Sequence, residues 1–101
     1  MSDSGKTHPV IKVRENAEQQ RYEICIEDTQ VGFAEYRRDG NTLVFPHTEI
    51  DAACRGRGLG AQLVQGALDD VRSKGLSIEP RCWFVAQFID EHPEYRDLVA
   101  A

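Results

Sequence analysis

The stretch that most constrains this chain is Arg55-Gly56-Arg57-Gly58-Leu59-Gly60, with glycine at every second position and an amphipathic segment directly after it. Glycine this dense is costly inside a strand or a helix, so the backbone turns here. Downstream, Leu59, Leu63, Val64, Ala67, Leu68 and Val71 recur at helical spacing, while Gln62, Gln65, Asp69, Asp70 and Arg72 take the other side. That period predicts a helix over Gly58 to Ser73, and Lys74-Gly75 closes it, a cation at the negative helix end before a residue free to turn left-handed. Upstream, Thr42 to Ile50 reads as a strand, so the glycine run joins a strand end to a helix start.

A junction of that kind presents unpaired backbone N–H groups and the positive end of the helix dipole, which suit a phosphate or pyrophosphate. The spacing Gly56-x-Gly58-x-Gly60 differs from the Gly-x-Gly-x-x-Gly of dinucleotide folds, and no Lys-Ser/Thr pair follows as in a nucleotide P-loop. Ser4-Gly5-Lys6-Thr7 imitates the end of a P-loop, but the earlier glycine would fall before residue 1, so the match is accidental. From Ala52 to Leu68 there are two arginines and no acid, although the chain as a whole carries a net charge of −5. An anion fits locally, whereas general nucleic-acid binding is disfavoured.

Before the glycine run the sequence is a series of strands. Val10 to Val13 starts one, the alternation of Tyr22, Ile24 and Ile26 marks another over Arg21 to Glu27, and Asp28-Thr29-Gln30 connects to a third at Val31 to Tyr36. Asp39-Gly40-Asn41 suits a tight hairpin turn, so strands two to four form a meander. Pro46 marks a bulge, an edge or a place where pairing stops. Subject to that bulge, alternation puts Phe45, His47 and Glu49 on one face and Val44, Thr48 and Ile50 on the other. A short strand at Leu76 to Glu79, a second helix over Cys82 to Glu91 and a last short helix over Pro93 to Val99 complete the order β-β-β-β-α-β-α. At 101 residues this makes one domain at 9–101 behind a frayed tail at 1–8. No apolar run approaches the roughly 18 to 20 residues of a membrane span, and Cys25, Cys54 and Cys82 form neither a disulfide framework nor a close-spaced metal pair. A cytoplasmic protein with reduced thiols, no bound metal and no membrane contact is expected.

The loop matches Arg/Gln-x-x-Gly-x-Gly/Ala, and so resembles the pyrophosphate loop of the GNAT superfamily of acyl-CoA-dependent N-acyltransferases. His47-Thr48-Glu49-Ile50-Asp51 before it, and Cys82-Trp83-Phe84-Val85 and His92-Pro93-Glu94-Tyr95 after it, look like the stand-alone minimal members of about this length. The resemblance implies an α+β fold with a mainly antiparallel central sheet of about five strands, helices packed on the sheet and no N-terminal helix pair. It implies acetyl-CoA as cosubstrate, held by backbone groups from Arg55 to Gly60, including Leu59. Arg55 and Arg57 would add charge at the nucleotide phosphates, and Glu49, Ile50 and Asp51 would flank the pantetheine arm. The acceptor would be an amine, either small or part of a protein, and the chain a monomer or weak homodimer.

An amine with a pKa near ~10.4 must lose a proton to become a nucleophile, so a base belongs beside the thioester. Glu49 is the leading candidate, with His47 on the same strand face, and the family commonly places a glutamate base on this strand. Cys82, at the start of a helix, is a candidate acetyl acceptor for a two-step transfer and equally suits a buried packing role. The tyrosine acid of larger relatives has no counterpart, since its place falls near Ile89, and Tyr95 suits packing beneath the C-terminal turn. Trp83 and Phe84 read as core or groove wall. An acyl-CoA sensor or partner module with little turnover is the competing reading.

Overall fold

The structure, a computed structural model, describes residues 9–100. The tail expected at 1–8 and the P-loop-like Ser4-Gly5-Lys6-Thr7 therefore lie outside the described residues. Strands β1 (Ile11–Asn16), β2 (Arg21–Ile26), β3 (Thr29–Asp39), β4 (Thr42–Ile50) and β5 (Ser77–Pro80) form one sheet in sequence order. The first four are antiparallel neighbours, and β5 joins β4 in parallel after helix α1 (Leu59–Ser73). Helix α2 (Trp83–Glu91) and a 3-10 helix at Pro93–Leu98 follow. This is the expected α+β order, and residues 17–20 alone connect β1 to β2, with no helix between them.

The differences from the sequence reading are local. Strand β3 starts at Thr29, because Ile26 and Thr29 pair directly across a two-residue turn, with Glu27 at φ 55°. It also runs on to Asp39, where Arg37, Arg38 and Asp39 pair with β4 although no apolar alternation announces them. Cys82 caps α2 instead of opening it.

The larger difference lies at Pro46. Register passes from Glu35↔His47 to Arg37↔Val44, so β4 carries an extra residue and its side-chain parity inverts. Phe45 therefore parts from His47 and Glu49: its ring is 1% exposed in the core, against Tyr22 and Tyr36. Ile50, beyond the bulge, packs on that same core, and Val44 lies outside the cluster.

The core forms where α1 lays Leu59, Leu63, Val64, Ala67, Leu68 and Val71 on the sheet face that carries Tyr22, Ile24, Ala34 and Phe45. Each such large side chain contributes about 1.5–3 kcal/mol on burial. Polar groups then fix the C-terminal end of α1. Tyr22 donates to Asp70 at 2.6 Å, Lys74 lies 2.9 Å from Asp70 and also bonds Glu15, and Glu15 accepts from Tyr36. Burial pushes the Tyr36 hydroxyl up to about 12, with its bond to Glu15 adding to the effect. Burial also acts to raise the Glu15 carboxyl, but the Lys74 ammonium and the Tyr36 hydroxyl outweigh it and hold that carboxyl below its usual range. Arg72 clasps Asp97 at 2.8 Å, and Tyr95 donates to Asp69 at 2.7 Å, tying the last 3-10 helix to the same end.

The opposite sheet face is polar. Arg21, Glu23, Phe33, Glu35, His47 and Glu49 share it by alternation and register. Glu23 is 3% exposed and accepts from Arg14, Asn16 and Arg21, so its buried charge is compensated.

Candidate functional site

Strands β4 and β5 pair only as far as Phe45↔Pro80. There the Phe45 carbonyl accepts the N–H groups of Arg81 at 3.1 Å and Cys82 at 2.8 Å, and the chain of β5 turns away into α2. Strand β4 continues to Ile50 without a neighbour on that side, and the divergence opens a cleft of about 710 Å³. Pro46 thus marks both a bulge and the point where pairing stops. Ile50, Leu59, Ala61 and Phe84 supply apolar wall; His47, Thr48, Arg81 and Cys82 bring polar groups into it.

The loop at the mouth of the cleft turns through Gly56 at φ 84° and Gly58 at φ 74°, with Arg57 between them on the ordinary side of φ. Alternation of hand aims successive N–H groups into one concavity. Among the described residues, the N–H groups of Gly56, Arg57 and Gly58 donate no hydrogen bond, and Gly58 caps α1 without a side-chain partner. These free donors, beside the positive end of a 15-residue helix, suit the loop to an anion. Gly60 has a different reason to lack a side chain: a Cβ there would come within 2.7 Å of the Phe84 ring. It therefore serves the packing of α2 on α1 and not the approach of a ligand.

Of the residues singled out from sequence, His47, Ile50, Arg55, Gly56, Gly58, Leu59, Gly60 and Cys82 line the cleft, and Glu49, Asp51 and Arg57 do not. Glu49 lies on the sheet face away from α1 and reaches the cleft only through His47, whose Nε2 is 3.1 Å from Glu49 Oε1. The His47 ring also stands edge-on to Phe33 at 6.0 Å, which fixes it from a second side. Cys82 donates from Sγ to Thr48 Oγ1 at 3.6 Å, joining the two walls. Arg55 donates from Nε to the Ile50 carbonyl at 3.1 Å, leaving its terminal N–H groups beside the loop. Trp83 is no core residue: it is 73% exposed on the rim. Ile89 is buried in the core, and Tyr95 is committed to Asp69, so neither is placed to protonate a leaving group in the cleft.

Sequence reasoning missed Pro46, Thr48, Cys54, Ala61 and Arg81 as cleft residues. The proline was visible as an interruption of pairing; the others gave no signal, because the cleft arises from the divergence of two strands. No group of three or more His, Cys, Asp or Glu side chains among the described residues could hold a metal ion, and no helix among them is long and apolar enough to cross a membrane.

A sheet that splays beside an amide-lined loop at a helix start is an arrangement whose class comparison with known proteins supplies. The family model described as GCN5-related N-acetyl-transferase matches residues 21–98. The chain belongs to that family. It is 40% identical over 59 residues to Protein NATD1 of Bos taurus, covering 57% of this chain and 52% of that protein. Protein NATD1 of Homo sapiens is 38% identical over 59 residues, with coverage of 57% and 52%. The chain thus spans about half the length of the curated relatives it matches. Among solved structures, a GCN5-like protein from Staphylococcus aureus superposes with a TM-score of 0.67 at 21% identity, over 89% of this chain and 88% of that one, a likeness of fold.

Proposed function

We propose that this chain is an N-acetyltransferase that takes acetyl-CoA as donor and an amine as acceptor, with residues 9–101 acting as one minimal domain. The observation that carries the reading is the set of uncommitted amides at Gly56 to Gly58 opening on an apolar-walled cleft. The diphosphate of CoA fits the loop, with Arg55 and Arg57 adding charge, and the pantetheine arm fits along Ile50 past Asp51. Acetyl-CoA supplies a thioester carbonyl open to attack. His47, held by Glu49, takes the proton from the amine as its nitrogen bonds to that carbonyl. The carbon–sulfur bond breaks, and the CoA thiolate leaves and takes up the proton that His47 received. Main-chain N–H groups on the unpaired edge of β4 suit the oxyanion. The three free thiols, Cys25, Cys54 and Cys82, accord with a reducing cytoplasm.

One observation favours a second reading. Ile89 is buried where larger relatives carry an acid, which suits an acyl-CoA sensor with little turnover. Titration with acetyl-CoA, CoA and dephospho-CoA, followed by thermal shift and intact mass, separates the possibilities. Saturable stabilisation with multiple turnovers on an amine panel supports the enzyme; stabilisation without turnover supports the sensor. An acetyl adduct lost in Cys82→Ser would move the chemistry onto that thiol. Absence of any thermal shift would remove both readings, because a ligand of the folded state raises apparent stability.

A further inference from the structure

On the polar sheet face a second concavity of about 420 Å³ lies against the first, with Pro46 forming a wall of both. Gln19 and Gln20 enter it from the β1–β2 turn, Glu35 and Arg37 from β3, and the buried Tyr36 forms its floor. The head groups of Gln19, Gln20, Glu35 and Arg37 make no hydrogen bond or ion pair among the described residues, while Arg14, Arg21, Arg72, Lys74 and Arg81 each pair with a carboxylate elsewhere. Four uncommitted groups therefore surround one notch: two amides that donate and accept, one anion and one cation.

The backbone holds this arrangement in place. Gln20 sits at φ 54°, a conformation that side chains disfavour, and its carbonyl is fixed by the Tyr36 N–H at 2.9 Å. The bulge that puts Pro46 on the notch also sets His47 opposite Glu35 in register. Pro46 borders the notch and the cleft alike, and the next residue, His47, lines the cleft.

We infer that the notch seats the acceptor, and that the acceptor is a peptide bearing a free amine. The amide heads of Gln19 and Gln20 match main-chain peptide groups, Glu35 matches a cation on the peptide and Arg37 an anion. The amine then passes Pro46 to reach His47. A simple alkylammonium can answer Glu35 alone and leaves the two amides and Arg37 unmatched. This inference rests on the acetyl-transfer reading above, and the test reads the two separately.

The experiment is a titration of the isotopically labelled protein, saturated with CoA, followed by amide NMR. The probe is a capped hexapeptide, acetyl-Arg-Asp-Gly-Lys-Gly-Gly-amide, in which Lys brings the reacting amine, Arg the cation for Glu35 and Asp the anion for Arg37, with n-butylamine as control. The peptide is expected to shift the signals of Gln19, Gln20, Glu35 and Arg37 saturably, and butylamine to leave those of Gln19, Gln20 and Arg37 in place. Glu35→Lys and Arg37→Glu are expected to weaken the peptide at least about tenfold, roughly 1.4 kcal/mol, with the CoA-induced shifts at Gly56 to Gly60 unchanged. Turnover assays should show the loss in KM for the peptide, with kcat for butylamine untouched. A silent notch, or charge reversals that leave peptide affinity intact, overturns the inference while the CoA shifts keep the donor reading standing. Peptide shifts with no response to CoA at the loop would leave a peptide site but remove its role as an acceptor seat.

Discussion

At its C-terminal end α1 carries Asp69, Asp70, Arg72 and Lys74, and each is held by a group on another element: Tyr95, Tyr22, Asp97 and Glu15. At its N-terminal end Gly58 to Ala61 offers no polar side chain, and the amides ahead of it are unpaired. One helix is anchored at one end and open for binding at the other. The contrast separates groups that hold the fold from groups left free for a ligand, since a hydrogen bond already made inside the protein must be broken before a ligand can use it.

The sharpest way to break this division is at the reacting centre. His47→Gln is expected to lower turnover by about a hundredfold, while the thermal shift on CoA addition persists. Equal turnover would place the base elsewhere, and Glu49→Gln measured beside it would show whether the carboxylate acts through the imidazole. Next in size is the anchored end. Asp70→Ala strands the hydroxyl of Tyr22, whose residue is 1% exposed, and should cost about 1–3 kcal/mol in urea denaturation with CoA affinity preserved. A variant that lost affinity along with stability would erase the distinction between the ends. Third, Gly58→Val forces a branched side chain into φ 74°, and CoA affinity by calorimetry should fall about tenfold or more, with a smaller change in stability.

The smallest expected effect is acid sensitivity. Burial alone would raise the Asp70 carboxyl, yet the Tyr22 hydroxyl and Lys74 outweigh it and hold it below its ordinary 3.8, and Glu15 lies below its ordinary 4.5 for the reasons given above. Carboxyls depressed in the native state add stability above their unfolded values, and that stability is lost as pH falls through the lower native values. The urea midpoint should therefore begin to decline near pH 4.5 and keep falling below 3.8, and Lys74→Met should flatten the decline. An unchanged slope would show that this network does not couple to folding.

Much of this was legible in the chain. Strand β4 has the bounds read from sequence, Thr42 to Ile50, because Asp39-Gly40-Asn41 fixes one end and the glycine loop the other. Helix α1 was legible from its period, and the turn ahead of it from glycine at alternate positions. The facing of β4 was not, because Pro46 shows that pairing is interrupted without showing which neighbour gains the extra residue, and one residue inverts every side chain beyond it. Arg81 and Thr48 were missed because they meet only where two strands part. Gln19 and Gln20 gave no signal, because their place beside Glu35 and Arg37 depends on a third strand running past the end of their hairpin.

The ring of Phe84 resting where Gly60 lacks a side chain makes the two helices a single lever. Any tilt at the first turn of α1 passes through that contact to the base of α2. There the next residue back is Trp83, the only indole in the chain, standing in solvent. The molecule thus carries its own optical reporter on the rim of the cleft, and its emission should respond when a guest fills that cleft.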